Sequence, residues 1–236
     1  MIALKNIKGL LIDYGGTIDT DGIHWFEVFC EMYEKAGITV SKEALRNAYI
    51  FGERKMAIDY QQIKTTDTFY DILVRKTDYQ LNSLVEENDL PKIEKSKHDA
   101  LVEYCYQFAK QTTTRQAKIL QQLSTQFSLV LVSNFYGNLQ SVLHDFEIEK
   151  YFQTIIESSV VGIRKPNPEI FQLGIDALKL KPNEIAVIGD SYKNDIEPAK
   201  QLDCATVWLK KIGWETNENT THTADFIIDT FEKLIH

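Results

Sequence analysis

Four short stretches of this 236-residue sequence carry side chains able to do chemistry together. In LLIDYGGTIDT, Asp13 closes an apolar run and is followed by Gly15, Gly16, Thr17 and Asp19. In LVLVSN a second apolar run ends at Ser133 and Asn134, and RKPNPEIF holds Lys165 directly before a proline. In VIGDSYKNDIEPAK, Asp190 and Asp195 flank a turn. A carboxylate at the carboxyl end of a strand stands where ligands collect in open α/β sheets. A hydroxyl there can hold a ligand oxygen or start a turn, and a lysine held extended by its proline is a candidate partner for phosphate or carboxylate. Asp13, Asp190 and Asp195 together would offer hard oxygen ligands suited to magnesium; separately they read as turn and cap residues.

The elements around these residues place them on one edge. β-rich apolar runs at 8–14, 128–133, 154–157, 185–189 and 205–209 alternate with helical patterns at 115–126, 168–178 and 195–202. That alternation predicts a parallel α/β sheet with helices on both faces. A short run in DFIID and a segment at 230–235 close the sheet edge. Between 21 and 111 the β-rich runs stop, and four helical patterns follow at 23–36, 41–58, 67–86 and 91–110. Ser41 and Asp67 are the expected N-caps. The expected organisation is an α/β core over 1–20 and 112–236, with an inserted helical domain over 21–111 whose many aromatics form a bundle core.

Composition removes several function classes. With 44% hydrophobic and 25% charged residues the chain can bury a full core. Its net charge of −8 argues against nucleic acid, whose phosphates attract basic surfaces. A small phosphorylated substrate is compatible, because one metal ion reverses the local field. Cys30, Cys105 and Cys204 are far apart, so buried reduced thiols are expected and no zinc site or disulfide framework. No apolar run approaches the roughly 20 residues that span a bilayer, and no signal-like segment opens the sequence. The expectation is a cytoplasmic protein with no membrane partner. The sequon at Asn219, Thr220 and Thr221 then reads as a plain surface loop. Nothing in the sequence fixes the oligomeric state.

An aspartate, a hydroxyl, a lysine and an aspartate pair at four successive strand ends resemble the four motifs of the haloacid dehalogenase (HAD)-like hydrolases. LLIDYGGTIDT is similar to the first motif, LVLVSN to the second, RKPNPEIF to the third and VIGDSYKNDIEPAK to the fourth; TVWLKK and ADFIIDTFEKL resemble family endings. The likeness implies a Rossmann-like core and a helical cap entering between motifs one and two. It implies Asp13 as the nucleophile that takes a phosphoryl group, with Ser133, Asn134 and Lys165 holding the phosphoryl oxygens and Thr17 orienting the first loop. Magnesium would be held by Asp13, the Gly15 carbonyl, Asp190 and Asp195, and Asp19 would stabilise the loop.

Phosphatases of this family carry a second aspartate where this sequence has Gly15. The glycine keeps a carbonyl for metal but supplies no acid for the leaving oxygen, a contribution worth about 10²–10⁴-fold. Activity should then favour acyl and phenolic phosphates over alkyl esters. Three other readings stay open: a phosphonatase-like hydrolase using Lys55 or Lys64 as a Schiff-base lysine, an acid supplied by His24 or another cap residue, and a noncatalytic phosphate and metal binder. The intact GDSYKND string speaks against the dehalogenase branch.

Overall fold

The computed structural model describes residues 4–87, 91–211 and 223–235. The sequon at Asn219 lies outside them. Six parallel strands, β1 (Gly9–Ile12), β2 (Ser128–Ser133), β3 (Thr154–Glu157), β4 (Ile185–Gly189), β5 (Ala205–Leu209) and β6 (Phe226–Ile228), form one sheet in the order β3-β2-β1-β4-β5-β6. β1 pairs with β2 on one side and β4 on the other, Ile12 standing opposite both Leu131 and Ile188. The strand order reverses between β1 and β4, the switch point at which open α/β sheets bind ligands.

Alternation along each strand explains why both faces are covered. Leu10 and Ile12, Leu129 and Leu131, and Ala186 and Ile188 pack to one side, while Leu11, Val130, Val132 and Val187 pack to the other. Side chains two apart share a face of a strand, so these near-continuous apolar runs need helices above and below.

On the first face, α1 (Trp25–Lys35), α2 (Lys42–Ile58) and α3 (Phe69–Glu87) pack on one another and on α4 (Lys95–Ser124), which covers the sheet through Ile119, Leu120 and Leu123. Their buried residues, among them Phe29, Leu45, Leu73 and Leu101, belong to the same apolar cluster as Leu10 and Ile12. After β2 come α5 (Leu139–Asp145) and, past β3, α6 (Ser158–Val161), two short helices that the sequence pattern did not reveal. α7 (Glu169–Leu178) covers the second face through Ile170, Phe171 and Ile175. Gly174 is small for a reason: a Cβ there would lie 2.9 Å from Leu11 Cδ2. A π-helical turn over Tyr192–Ile196 leads into α8 (Glu197–Gln201).

Two local expectations differ from the structure. The helices expected over 91–110 and 115–126 are one continuous helix, α4, so a core boundary drawn at 111/112 falls inside it. The threonines between them are absorbed: Thr112 and Thr113 are buried, and Thr114 Oγ1 donates to the Lys110 carbonyl four residues back, a bond that satisfies the hydroxyl within the helix. Asp67 does not cap α3. Thr68 does, in a reciprocal arrangement with Asp71, while Asp67 Oδ2 accepts from the Lys64 amide. Ser41 caps α2 as expected, accepting from the Ala44 amide. No helix among the described residues is long and apolar enough to cross a membrane.

Candidate active site

Asp13 follows directly on β1, its amide donating to the Ile188 carbonyl of β4 at 3.0 Å. This prolonged pairing fixes the backbone and aims the carboxylate out of the sheet edge. Ser133 Oγ donates to Asp13 Oδ1 at 3.0 Å, and Lys165 Nζ donates to the same oxygen at 2.7 Å. Thr17 Oγ1 lies 3.2 Å from both Asp13 Oδ2 and Asp190 Oδ1, and it accepts from the Asp190 amide at 3.1 Å. Lys165 also donates to Asp195 Oδ1 at 2.7 Å, while Asp195 Oδ2 accepts from the Ser191 amide. Asn134 holds the lysine's backbone at both ends, accepting from its amide and donating to its carbonyl. The Lys165-Pro166 peptide is cis.

Two glycines make room for these carboxylates. Gly16 has φ +92°, and a Cβ built on it would meet Asp190 Oδ2 at 2.5 Å; one built on Gly189 would stand 2.5 Å from the Cβ of Asp195. Gly15 differs from both, since a Cβ there meets nothing within 4 Å. Asp19 stabilises the turn, accepting from the Gly16 amide and from Trp25 Nε1.

The electrostatics are those of a site short of positive charge. Asp13, Asp190 and Asp195 each bring a carboxylate oxygen within 4.8 Å of the others. Burial, then the neighbouring carboxylates Asp13 and Asp195, holds Asp190 well above the ordinary range. Burial raises Asp195 to about 6 although Lys165 opposes the shift. Lys165 stays charged: burial works to lower its pKa, but Asp13 and Asp195 more than reverse it. Burial also pushes Asp19 to about 7 against the two hydrogen bonds it accepts. One ammonium faces three carboxylates, so a divalent cation would restore neutrality, and oxygen-only donors suit a hard one.

The sequence profile of the haloacid dehalogenase-like hydrolases matches residues 7–203, which include Asp13, Ser133, Lys165, Asp190 and Asp195. The chain belongs to this family. It is 31% identical over 90 residues to the glyceraldehyde 3-phosphate phosphatase of Pyrococcus furiosus, a match that spans only 38% of either chain. Two solved structures share the fold along nearly the whole length. One is the Bacillus subtilis HAD-hydrolase candidate YfnB bound to magnesium, with 18% identity, a TM-score of 0.58 and coverage of 98% of this chain and 97% of that one. The other is a dehalogenase in an intermediate complex, with 16% identity, a TM-score of 0.64 and coverage of 97% and 96%.

In this HAD-like hydrolase the carboxylate cluster opens into a cavity of about 1200 Å³. Asp13, Gly15, Ser133, Asn134, Lys165, Asp190 and Asp195 all line it; Thr17, fully buried, supports the floor from beneath. His24 also lines it, but its Nδ1 accepts from the Phe26 amide at the start of α1. Burial lowers its pKa, which favours the neutral capping form. Lys55 is paired with Asp59, and neither it nor Lys64 reaches the cavity.

The helical wall brings residues that sequence reasoning did not single out. Lys76 of α3 and Glu53 of α2 line the cavity as an ion pair at 2.8 Å, and Tyr136, three residues past Ser133, donates to the other Glu53 oxygen at 2.9 Å. Burial alone would raise Glu53, yet Lys76 holds it below the ordinary range. Lys76 is held well above its own, Glu53 outweighing the cost of burial. No spacing signal could have found this group, because its members come from two helices and a distant loop.

Proposed function

We propose that this hydrolase is a magnesium-dependent phosphatase of small phosphorylated metabolites, working through an aspartyl phosphate on Asp13 in the cytoplasm. The observation that carries the reading is the convergence of Ser133 and Lys165 on one Asp13 oxygen, with Asp190 and Asp195 alongside. A nucleophile, two donors for phosphoryl oxygens and a hard-cation site thus share one cavity floor. The fold relative bound to magnesium and the partial match to a phosphatase support it.

Asp13, Asp190, Asp195 and the Gly15 carbonyl would hold the metal, which supplies Lewis-acid neutralisation of the phosphoryl oxygens. The remaining steps belong to the chain. A carboxylate oxygen of Asp13 attacks phosphorus as the ester P–O bond breaks toward the leaving oxygen, splitting one hard displacement into two easier ones. Ser133 and Lys165 donate to the equatorial oxygens, where charge shifts in the transition state. Thr17 steadies both Asp13 and the Asp190 loop. With no side chain at 15, the leaving oxygen takes its proton from water. A second water then attacks the phosphoryl group and gives its proton to solvent, where it neutralises the hydroxide left by the first step, and the P–O bond to Asp13 breaks to return the carboxylate. Residues 21–111 act in this reading as the cap over an α/β core, closing the cavity from above.

Gly15 favours one alternative, a noncatalytic phosphate and metal binder. A screen of acetyl, phenyl and alkyl phosphates in magnesium separates the two. The phosphatase reading expects turnover that falls at least about 10³-fold in Asp13→Asn, as loss of a covalent nucleophile demands. Equal rates in that variant and the native protein would sink the nucleophile assignment.

A further inference from the structure

The helical wall of the cavity poses its own question: why a lysine and a glutamate stand paired there, half-buried, with 14% and 32% of their side chains exposed. A partly exposed ion pair contributes little to stability, so stability alone does not account for Glu53 and Lys76. Both line the cavity that holds Asp13. Lys76 Nζ lies 5.2 Å from the centre of the Tyr136 ring, which fixes the ammonium between a carboxylate and an aromatic face. Its charge is felt as far as Asp19 in the first-motif turn. Trp25, Tyr49, Phe69 and Phe135 supply apolar surface to the same cavity.

The charges of the pair cancel, so the wall has donors and an acceptor but little net field. A hydroxyl group can donate to the Glu53 carboxylate and accept from Lys76, whose ammonium has further hydrogens to give, while Tyr136 keeps Glu53 oriented. A second carboxylate or phosphate would gain an ammonium already neutralised and meet the repulsion of Glu53. Arg54, Lys193 and Lys210, which also line the cavity, do not reverse this, because they are exposed and their fields are screened by salt, and Lys211 is neutralised by Asp21 at 2.6 Å.

We propose that Glu53, Lys76 and Tyr136 are the specificity element of this site, hydrogen-bonding the hydroxyl groups of a neutral leaving portion and rejecting phosphate esters that carry a second anionic group. The substrate class is therefore the phosphomonoester of a small hydroxylated, uncharged alcohol. The inference rests on the phosphatase reading for its chemistry and on the wall alone for its selectivity.

Two probes isolate the selectivity: glycerol 3-phosphate and 3-phosphoglycerate, which differ by a hydroxymethyl group against a carboxylate. Their affinities are measured calorimetrically in magnesium on the Asp13→Asn protein and on its Glu53→Gln and Lys76→Met derivatives. The ratio of kcat/KM is measured with Asp13 intact, and phenyl phosphate serves as a general substrate. The parent should prefer the glycerol ester at least tenfold. Glu53→Gln, which keeps an acceptor for Tyr136 while removing the charge and putting an amide donor in place of the second oxygen, should move the ratio at least tenfold toward phosphoglycerate. Lys76→Met should move it the other way. Ratios that shift in the same direction in both variants, or in neither, overturn the proposal, as does failure of both esters to bind. Should Lys76→Met fail to fold, the Glu53→Gln ratio decides by itself. If phenyl phosphate is hydrolysed but the glycerol ester is not preferred, the selectivity alone fails. If nothing is hydrolysed, the phosphatase reading fails, and the binding ratios still decide the proposal.

Discussion

Gly15→Asp tests the account of the site most directly, because geometry and electrostatics both say what it should do. A side chain at 15 starts in open space, with no heavy atom within 4 Å of its Cβ, and the position is exposed to the cavity. Its backbone lies outside the left-handed region, so a side chain brings no strain of the kind a Cβ at Gly16 would meet. The new carboxyl would share the cavity with the carboxylates of Asp13, Asp190 and Asp195, and like charges nearby raise a carboxyl's pKa. A group shifted in that direction is protonated often enough near neutral pH to serve as an acid. General acid catalysis is worth about 10²–10⁴-fold, or about 3–5 kcal/mol of barrier, where the leaving group is a poor one. The expected gain is therefore about 10²-fold in kcat/KM on an alkyl ester such as glycerol 3-phosphate. On acetyl phosphate, whose leaving group departs as a weak base, the gain should stay within about threefold by the same reasoning. The assay is phosphate release in magnesium for both substrates, with thermal unfolding as the check on folding. A folded variant whose alkyl-to-acyl rate ratio equals that of the native protein would refute the claim that Gly15 marks a missing proton donor.

Three other perturbations follow from the same geometry. Lys165→Met leaves Asp13 and Asp195 facing each other uncompensated in a buried site, so unfolding by denaturant should show a loss of about 3–5 kcal/mol, with magnesium restoring part of it. Gly16→Ala places a Cβ against the Asp190 carboxylate at φ +92°; the expected cost is about 1–3 kcal/mol, and calorimetry should show weaker magnesium binding, whereas Gly15→Ala should change neither measurably. Asp19 titrates near 7 when folded against an ordinary value of 3.8, so the folded state holds the extra proton between those limits and its stability falls as pH rises through that window, by up to about 1.4 kcal/mol per pH unit. Asp19→Asn should flatten the slope between pH 5 and about 7; an unchanged slope would remove Asp19 as its source.

Much of this molecule is written in local sequence. Strand positions follow from short apolar runs between turn residues, and each of the five longer runs became a strand with side chains alternating between the two faces of the sheet. The chemistry was legible because Asp13, Ser133 and Asp190 stand where such a run stops, and Lys165 and Asp195 follow in the loops and turns after β3 and β4. Asp13, Ser133, Lys165 and Asp190 could be picked out before any of them was known to touch another. Local signals misled where side-chain burial overrode propensity, as at the threonines inside α4, and where two neighbours could both cap a helix, as at Asp67 and Thr68.

Only the tertiary structure decided contacts between residues far apart in the chain. Asp13 meets Ser133 across 120 positions and Lys165 across 152. The parallel register of β1 with β2 and β4 brings their ends level, which is why strand-end residues converge. The cavity wall has no such register to announce it. Glu53 and Tyr136 stand 83 positions apart, and any charged residue on an amphipathic helix could have faced solvent instead. Which ones turn inward depends on how α2 and α3 pack over the sheet edge. The two glycines of the first motif divide in the same way: the sequence shows that they are adjacent, and the packing shows that Gly16 is required by Asp190 while Gly15 is an open position.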